Sequence, residues 1–355
     1  MSLSLPRGFL TLGLTPGCPA GIGPEVWAKA LAAVGHDDLP PTVRLRWFAS
    51  AALLLEGARR AGVDAVKRGD DVVIANEFGE RVVDVAVADK DDRCKKVKAR
   101  VVDDDALAGQ RDALLRACVA GARGDIHGLV TGPVRKAALV VDDEHFAGQT
   151  EFVHKYLHAD DGPPLMVFAG GPFVLGLFTV HMALSAVPSK IKAAPLERAI
   201  RQLRDAATAL VVASGDEAGV VVLGVNPHAG EGGLFGDEEE KTVKPLLKKL
   251  QQDGIDVKGP VPADGFFADV ARHKKGVTTM RGVHAVLAMH HDQGLAPYKL
   301  LVGGEGINIT WGLRIPRTSP DHGTADAIAG TGVADPSSTI AALKTAVRLA
   351  QHKRA

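Results

Sequence analysis

The chain has 355 residues, 46% hydrophobic and 24% charged, an ordinary globular composition with enough apolar material for two separately cored domains. Its 42 basic and 42 acidic residues balance, which argues against a nonspecific nucleic-acid binder, a class that carries a basic surplus. No apolar run has bilayer-crossing length and the start MSLSLPRGFLTLGL lacks the pattern of a signal peptide; with Cys18, Cys94 and Cys118 forming no CxxC or paired framework, a cytoplasmic protein without membrane or nucleic-acid partners is expected.

Gly8–Leu14 (GFLTLGL) reads as a first strand. The loop TPGCPAGIGPE then leads into a helical pattern, with Glu25 in the first turn, where a carboxylate suits the dipole. Its glycines do not fit G-x-G-x-x-G, so either a ligand loop or a plain strand-to-helix turn satisfies this motif. A second strand is expected over Leu45–Phe48 and a glycine-ended helix over Ala51–Gly62. Asp70–Val102 reads as irregular, exposed strands and loops; the cluster Lys95, Lys96, Lys98 and Arg100, flanked by acids, reads as a solvated face rather than a nucleic-acid patch. A helix over Ala106–Arg123 and a buried strand over Ile126–Thr131 follow.

Thr150 precedes a helical pattern and is expected to cap it, and helix N-termini also bind phosphate. Pro164–Ala169 and Phe173–Thr179 read as a hairpin turned by GGP, with His181 directly after it. By itself His181 reads as a hydrogen-bonded histidine rather than a ligand. A long amphipathic helix over Leu196–Ala213 and a buried strand over Gly219–Gly224 come next. The loop NPHAGEGGLFGDEEEK leaves that strand with Asn226, His228 and Glu231 among glycines, a composition that favours function. A helix over Glu238–Asp253 precedes GPVPADGFF, which places Asp264 on a turn. The apolar run Ala285–Met289 reads as a strand ending on His290, His291 and Asp292, and Ser337–Ala350 closes the chain as a helix.

Strand and helix alternate with glycine at the joints. This predicts an α/β fold, two α/β/α domains with mostly parallel sheets, divided into 1–127 plus 304–355 and 128–303. Open α/β sheets place their chemistry at the carboxyl ends of strands. His181, His228 and His291 each follow an apolar run, and three neutral imidazoles with substrate oxygens suit Zn²⁺ or a related divalent metal; the cofactor expected is a divalent metal, Zn²⁺, Mg²⁺ or Co²⁺. A metal beside Lys299, Asp264 and Asp292 suits oxidation of a hydroxy acid, with a nicotinamide taking the hydride. Asn308 and Arg317 suit an anionic substrate, and the Gly-rich tail from His322 permits close backbone approach to a nucleotide. Glu231 and Lys136 are candidates for orienting ligands.

The motifs TPGCPAGIGPE, VTGPVRK, GQTEF, VNPHAGEGGLFGDEE, PAD, MHHDQGLAPYK and INITWGLRIPRTSPDHGTADAIAGTG together resemble the 4-hydroxythreonine-4-phosphate dehydrogenase family of vitamin B6 synthesis, from about Thr15 to the end. The resemblance implies the isocitrate/isopropylmalate dehydrogenase-like fold with an interdomain active site. It implies metal- and NAD-dependent oxidation of 4-phosphooxy-L-threonine with loss of carbon dioxide, giving 3-amino-2-oxopropyl phosphate. It also implies a homodimer whose active sites draw on both chains. The family's metal histidines match His181, His228 and His291; its substrate contacts match Thr150, Lys299, Asn308 and Arg317, with Gln149 at a neighbouring contact position. HGTADAIAGTGVADP resembles the adenosine loop of isopropylmalate dehydrogenases, which places His322, Gly323, Ala325 and Asp335 by the cofactor, NAD or NADP.

The chain departs from the family pattern at Cys18, where an acid is usual, and at Arg135 and Gln149, where histidine is usual. It also departs at His290 (usually tyrosine) and Ala327 (usually aspartate). A related phosphorylated four-carbon hydroxy acid is therefore the alternative substrate. A phosphate acyltransferase and a catalytically degenerate binding protein of the same fold are the competing functions.

Overall fold

The computed structural model describes residues 9–159, 162–211, 217–274 and 283–353. Gly8, Val212 and Ala213, at the edges of two expected elements, lie outside them, as does the side chain of Lys95. The chain forms two compact units, one of residues up to Pro164 together with Ile307–Ala355, the other of Leu165–Gly306. The sequence reading placed the first break before Gly128. Instead, strand Gly128–Thr131 pairs in parallel with Leu10–Thr15, which ties the segment up to Pro164 to the first unit.

In the first unit, Leu10–Thr15 lies between Val43–Trp47 and Gly128–Thr131, parallel to both. Arg317–Pro320 extends the sheet in parallel beyond Gly128–Thr131, and Ile307–Trp311 pairs antiparallel with it. On the other side, Gly79–Val85 runs parallel to Val43–Trp47. A meander of Ala65–Arg68, Asp71–Asn76 and Gly79–Val85 gives order to the stretch read as irregular and exposed, and buries Val72, Val73, Ile74 and Val83 within it. Every side chain of Leu10–Thr15 is buried, as expected of a strand covered on both faces. The helix Ala51–Ala61 is capped by Ser50, whose Oγ accepts from Leu53 N at 3.4 Å, and ends on left-handed Gly62. Asp103 caps Asp104–Arg123 in the same way, accepting from Ala106 N at 2.8 Å.

In the second unit, parallel strands Val174–Leu177, Ala285–Ala288, Val220–Leu223 and Val257–Val261 lie in that order, and Leu165–Ala169 pairs antiparallel with the first. The expected hairpin and apolar strands are thus present. Their core joins Phe168, Phe173, Leu175, Val286 and Tyr298. Helix Ala193–Val211 buries Leu196, Ile200, Leu203 and Ala207 along one face.

Two local expectations are corrected. Thr150 does not cap a helix: the helix is Gln149–Leu157, its cap is Gly148, and Thr150 is its second residue. Asp264 is not on a turn but in the first turn of helix Ala263–Lys274, where its carboxylate complements the helix dipole. Sequence reading also passed over helix His291–Val302, which contains Pro297 and carries Lys299.

Candidate functional site

Within the second unit, strand Ala285–Ala288 ends at a turn into helix His291–Val302. Gln293 fixes that turn: its Oε1 accepts from Met289 N at 2.7 Å and its Nε2 donates to Gly224 O at 2.6 Å, tying two strand ends together. His290 caps the helix by accepting from Gln293 N at 3.3 Å. Burial lowers the His290 pKa, which favours the neutral ring that such acceptance requires.

His181 arrives from the end of strand Val174–Leu177, and its ring centroid lies 6.0 Å from that of His291. Both rings line a cavity of about 330 Å³ with Val180, Leu184, His290 and Asp292. Asp292 Oδ1 meets His291 Nδ1 at 2.7 Å, the kind of carboxylate contact that fixes an imidazole tautomer and turns its other nitrogen outward.

His228 stands in a separate and unusual setting. From His228 to Gly232 five consecutive residues have positive φ (52°, 53°, 82°, 44° and 67°). A left-handed run costs L-residues about 1–2 kcal/mol each, so His228, Ala229 and Glu231 require firm anchoring. Glu239 supplies it. Buried completely, its carboxylate accepts from Val225 N at 2.8 Å, Asn226 N at 2.9 Å and Asn226 Nδ2 at 2.9 Å. The turn presents His228 outward with Nδ1 3.0 Å from Glu231 Oε2, the contact expected of Glu231 as an orienting group. Among the described residues of one chain no three His, Cys, Asp or Glu side chains form a metal-holding group. One chain therefore apposes His181 and His291 without completing the expected trio with His228.

The expected anion contacts divide between the units. Lys299 is exposed on helix His291–Val302 in the second unit, where Asp264 and Asp292 are exposed as well. Gln149, Thr150, Asn308 and Arg317 belong to the first. Arg317 is only 2% exposed. Its Nε and Nη2 donate to Thr131 Oγ1 at 3.0 and 2.6 Å, Nη1 donates to Thr310 Oγ1 at 3.2 Å, and Nη2 also donates to Gln149 Oε1 at 3.0 Å. These partners are uncharged, and desolvation lowers the guanidinium pKa to about 10. Nearby, Asn308 Oδ1 is buried without a hydrogen-bond partner among the described residues, an acceptor fitted to a ligand's hydroxyl or ammonium group.

The loop 321–336 is held in the first unit from beneath. Glu25 Oε2 accepts from Gly330 N at 3.1 Å and Gly332 N at 3.4 Å, and Ile22 N donates to Thr324 O at 3.0 Å. Lys29 binds the carbonyls of Gly332 and Ala334, and Arg135 pairs with Asp326. Gly332 has φ +74°, and a Cβ there would meet Arg60 O at 2.6 Å, so only glycine follows this path. Asp335 Oδ1 accepts from Ser337 N at 2.9 Å and Ser337 Oγ at 2.6 Å, which anchors the loop at the start of the last helix and holds the Asp335 carboxyl below its usual pKa. The upper side remains open. Gly323 has nothing within 4 Å of its Cβ direction, Ala325 is exposed with φ +43°, and Ile328 and Val333 are exposed apolar groups. His322 Nε2 is buried without a partner among the described residues, an orphan suited to a nucleotide's polar edge.

Glu239, Glu25, Thr131 and Thr310 were not singled out as functional from the sequence. Glu239 sits in DEEE, which reads only as a polar helix start. Glu25 reads from the sequence only as a helix-start carboxylate, because its glycine partners lie some 305 residues away.

A family profile described as pyridoxal phosphate biosynthetic protein PdxA matches residues 48–346. The chain is 37% identical over 344 residues to the 4-hydroxythreonine-4-phosphate dehydrogenase of Azoarcus sp. (strain BH72), covering 96% of each chain. It is 32% identical over 345 residues to the D-threonate 4-phosphate dehydrogenase of Bordetella bronchiseptica, covering 97% of this chain and 94% of that one. The crystal structure of 4-hydroxythreonine-4-phosphate dehydrogenase from Klebsiella pneumoniae superposes with a TM-score of 0.73 at 28% identity, covering 98% of this chain and all of the other. The matched motifs, the mostly parallel α/β units and the full-length similarity lead to one conclusion: the chain belongs to the PdxA family of pyridoxal phosphate biosynthetic proteins.

Proposed function

We propose that this protein is a divalent-metal- and NAD(P)-dependent dehydrogenase that oxidises and decarboxylates a phosphorylated hydroxy amino acid, 4-phosphooxy-L-threonine, giving 3-amino-2-oxopropyl phosphate in pyridoxal phosphate synthesis. The observation that carries the reading is the apposition of His181 and His291, from two strand ends, with their ring centroids 6.0 Å apart. Two neutral imidazoles fit two positions of a Zn²⁺, Co²⁺ or related shell. His228, on its rigid left-handed turn, is the third ligand and comes from a second copy of the chain, so that a homodimer holds each metal between its protomers. When bound, the metal polarises the substrate's oxygens and the nicotinamide accepts the hydride.

The chain's own groups bind and orient. Among the described residues, Arg317 contributes a buried positive charge whose hydrogen bonds go to the neutral Thr131, Thr310 and Gln149, which favours an anionic substrate. Gln149 and Thr150, at the start of their helix, contact the phosphate, and Asn308 Oδ1 accepts from the substrate's polar hydrogens. Lys299, Asp264 and Asp292 handle protons as the hydroxyl is oxidised and the carboxylate leaves. His322, Gly323, Ala325 and Asp335 seat the adenosine end of the cofactor.

A second reading has a specific observation behind it. Gln149 can hydrogen-bond a phosphate but carries no charge to it, and a D-threonate 4-phosphate dehydrogenase matches over nearly the whole chain. A phosphorylated four-carbon hydroxy acid is therefore the alternative substrate. Formation of reduced nicotinamide is the test, with 4-phosphooxy-L-threonine and D-threonate 4-phosphate compared under Zn²⁺, Mg²⁺ and Co²⁺. Turnover that survives loss of both His181 and His291 would overturn the metal reading. No turnover with either substrate would favour a binding protein.

A further inference from the structure

On the first unit, away from the residues assigned above to metal and substrate, helix Ala51–Ala61, the segment 96–99 and Gly330 enclose a cavity of about 610 Å³. That volume is within the range of small-molecule sites. Its polar lining is four cations, Arg59, Arg60, Lys96 and Lys98, and one carboxylate, Glu56. Ala52, Leu55 and Ala99 supply apolar surface.

Arg60 is the unusual member. Its side chain is only 5% exposed. Nε donates to Glu56 Oε1 at 2.9 Å and Nη2 to Val97 O at 3.3 Å. The remaining nitrogen, Nη1, is buried with no hydrogen-bond partner among the described residues. Burying a guanidinium donor without an acceptor is costly, and the side chain lines the cavity. Glu56 does not neutralise the site, because Arg59 occupies its two oxygens at 2.7 and 2.8 Å while Arg60 shares one of them. Lys96 and Lys98 are exposed, with no carboxylate joined to them in an ion pair among the described residues. Two members of the basic cluster read as a solvated face, Lys96 and Lys98, are exposed and line this cavity.

We propose that this cavity binds the phosphate monoester of a nucleotide, with Arg60 Nη1 as the fixed donor and Lys96 and Lys98 as mobile ones. The apolar lining provides a surface for the base or ribose, and a dianion matches the cationic surplus. Two molecules carry this chemistry. One is NADP, whose 2′-phosphate would reach the cavity past Gly330 from adenosine on the loop 321–336, a source that rests on the proposed cofactor reading. The other is a free nucleotide acting as an effector, which does not depend on that reading.

Calorimetric titration of the full-length protein with 2′-AMP, without metal or substrate, tests the site independently of turnover. Binding is expected to weaken at least about tenfold in Lys96→Ala/Lys98→Ala, whose altered side chains are exposed, and to fall steeply with added salt. Arg60→Lys keeps the charge but loses the buried fork, and a loss of about tenfold or more is expected, the scale of a hydrogen bond to a charged group. Thermal unfolding of each variant separates lost binding from lost fold. Competition identifies the source: displacement of 2′-AMP by NADP⁺ but not by NAD⁺ assigns the phosphate to the cofactor. Failure of NADP⁺ to displace it, with lysine-sensitive binding retained, assigns the site to an effector. Absence of 2′-AMP binding, or binding unchanged in the lysine variant, overturns the proposal.

Discussion

Arg317 Nη2 lies 3.0 Å from Gln149 Oε1, a bond between residues 168 positions apart that joins a buried guanidinium to the first residue of a helix. The family resemblance read from the sequence implies histidine at the position of Gln149. Glutamine accepts from the arginine without adding a charge, while the Glu151 carboxylate acts on the guanidinium against its desolvation.

Removing that contact should separate binding from chemistry. Gln149→Ala is expected to raise KM for the phosphorylated substrate with a smaller effect on kcat, and to destabilise the fold by about 1–3 kcal/mol through loss of a hydrogen bond to a buried charge. Gln149→His is expected to shift preference toward 4-phosphooxy-L-threonine over D-threonate 4-phosphate. Steady-state kinetics on both substrates check this; unchanged ratios in both variants would remove Gln149 from the specificity reading.

The proposal that two chains share each metal predicts complementation. His181→Ala and His228→Ala proteins should each lose bound metal and activity. Unfolded together and refolded as a mixture, they should regain activity, because each mixed dimer holds one site with all three imidazoles intact. Metal content by mass spectrometry follows the same pattern. A mixture as inactive as its components would show that the three histidines do not act across two chains.

The left-handed turn predicts opposite effects at adjacent positions. Ala229 has φ +53°, where glycine carries no steric penalty, so Ala229→Gly is expected to raise stability by up to about 1 kcal/mol. Gly230 has φ +82°, and a Cβ there would meet Glu239 Oε2 at 2.9 Å. Gly230→Val should lower stability by about 1–3 kcal/mol and weaken metal binding by moving His228. Urea unfolding of the two variants measures both signs.

Glu25 predicts a cofactor effect without direct contact. Glu25→Ala frees the amides of Gly330 and Gly332, so KM for the nicotinamide cofactor should rise several-fold while metal content stays the same. Parallel loss of metal would show a general loss of fold instead.

Glu56 gives a pH signature. The hydrogen bond from Arg59, reinforced by Arg60 against the opposing effect of burial, lowers its pKa from 4.5 to about 2. The folded state thus binds this proton less readily than the unfolded chain. The resulting stability is fully present above pH 4.5 and disappears as pH falls toward 2. The difference in unfolding midpoint between the native protein and Glu56→Gln should narrow over that interval. A difference independent of pH there would assign the effect to packing.

The amino-acid sequence alone determined the strands that enter the candidate site. Runs such as AVLA at Ala285–Ala288 and VVVL at Val220–Leu223 are apolar at every position, which a doubly covered strand requires whatever surrounds it. Strings such as MHHDQG and NPHAGEGG identified the family because they are long and their polar groups occupy strand ends. The helix carrying Lys299 escaped notice because Gly294 and Pro297 weaken its local pattern.

Tertiary structure decided the rest. It paired Arg317 with Gln149, set Glu25 under two glycines, placed Glu239 at the centre of the His228 turn and apposed His181 to His291. It also gathered Arg59, Arg60, Lys96 and Lys98 around one cavity, although their neighbours in sequence include many acids. Local propensity acts over a few residues, whereas each of these relationships arises from where the sheet and its covering helices bring separate segments together. Lys96 and Lys98 are therefore solvated charges in sequence and fold alike, whereas the unpaired buried donor beside them, Arg60 Nη1, becomes visible only in the fold.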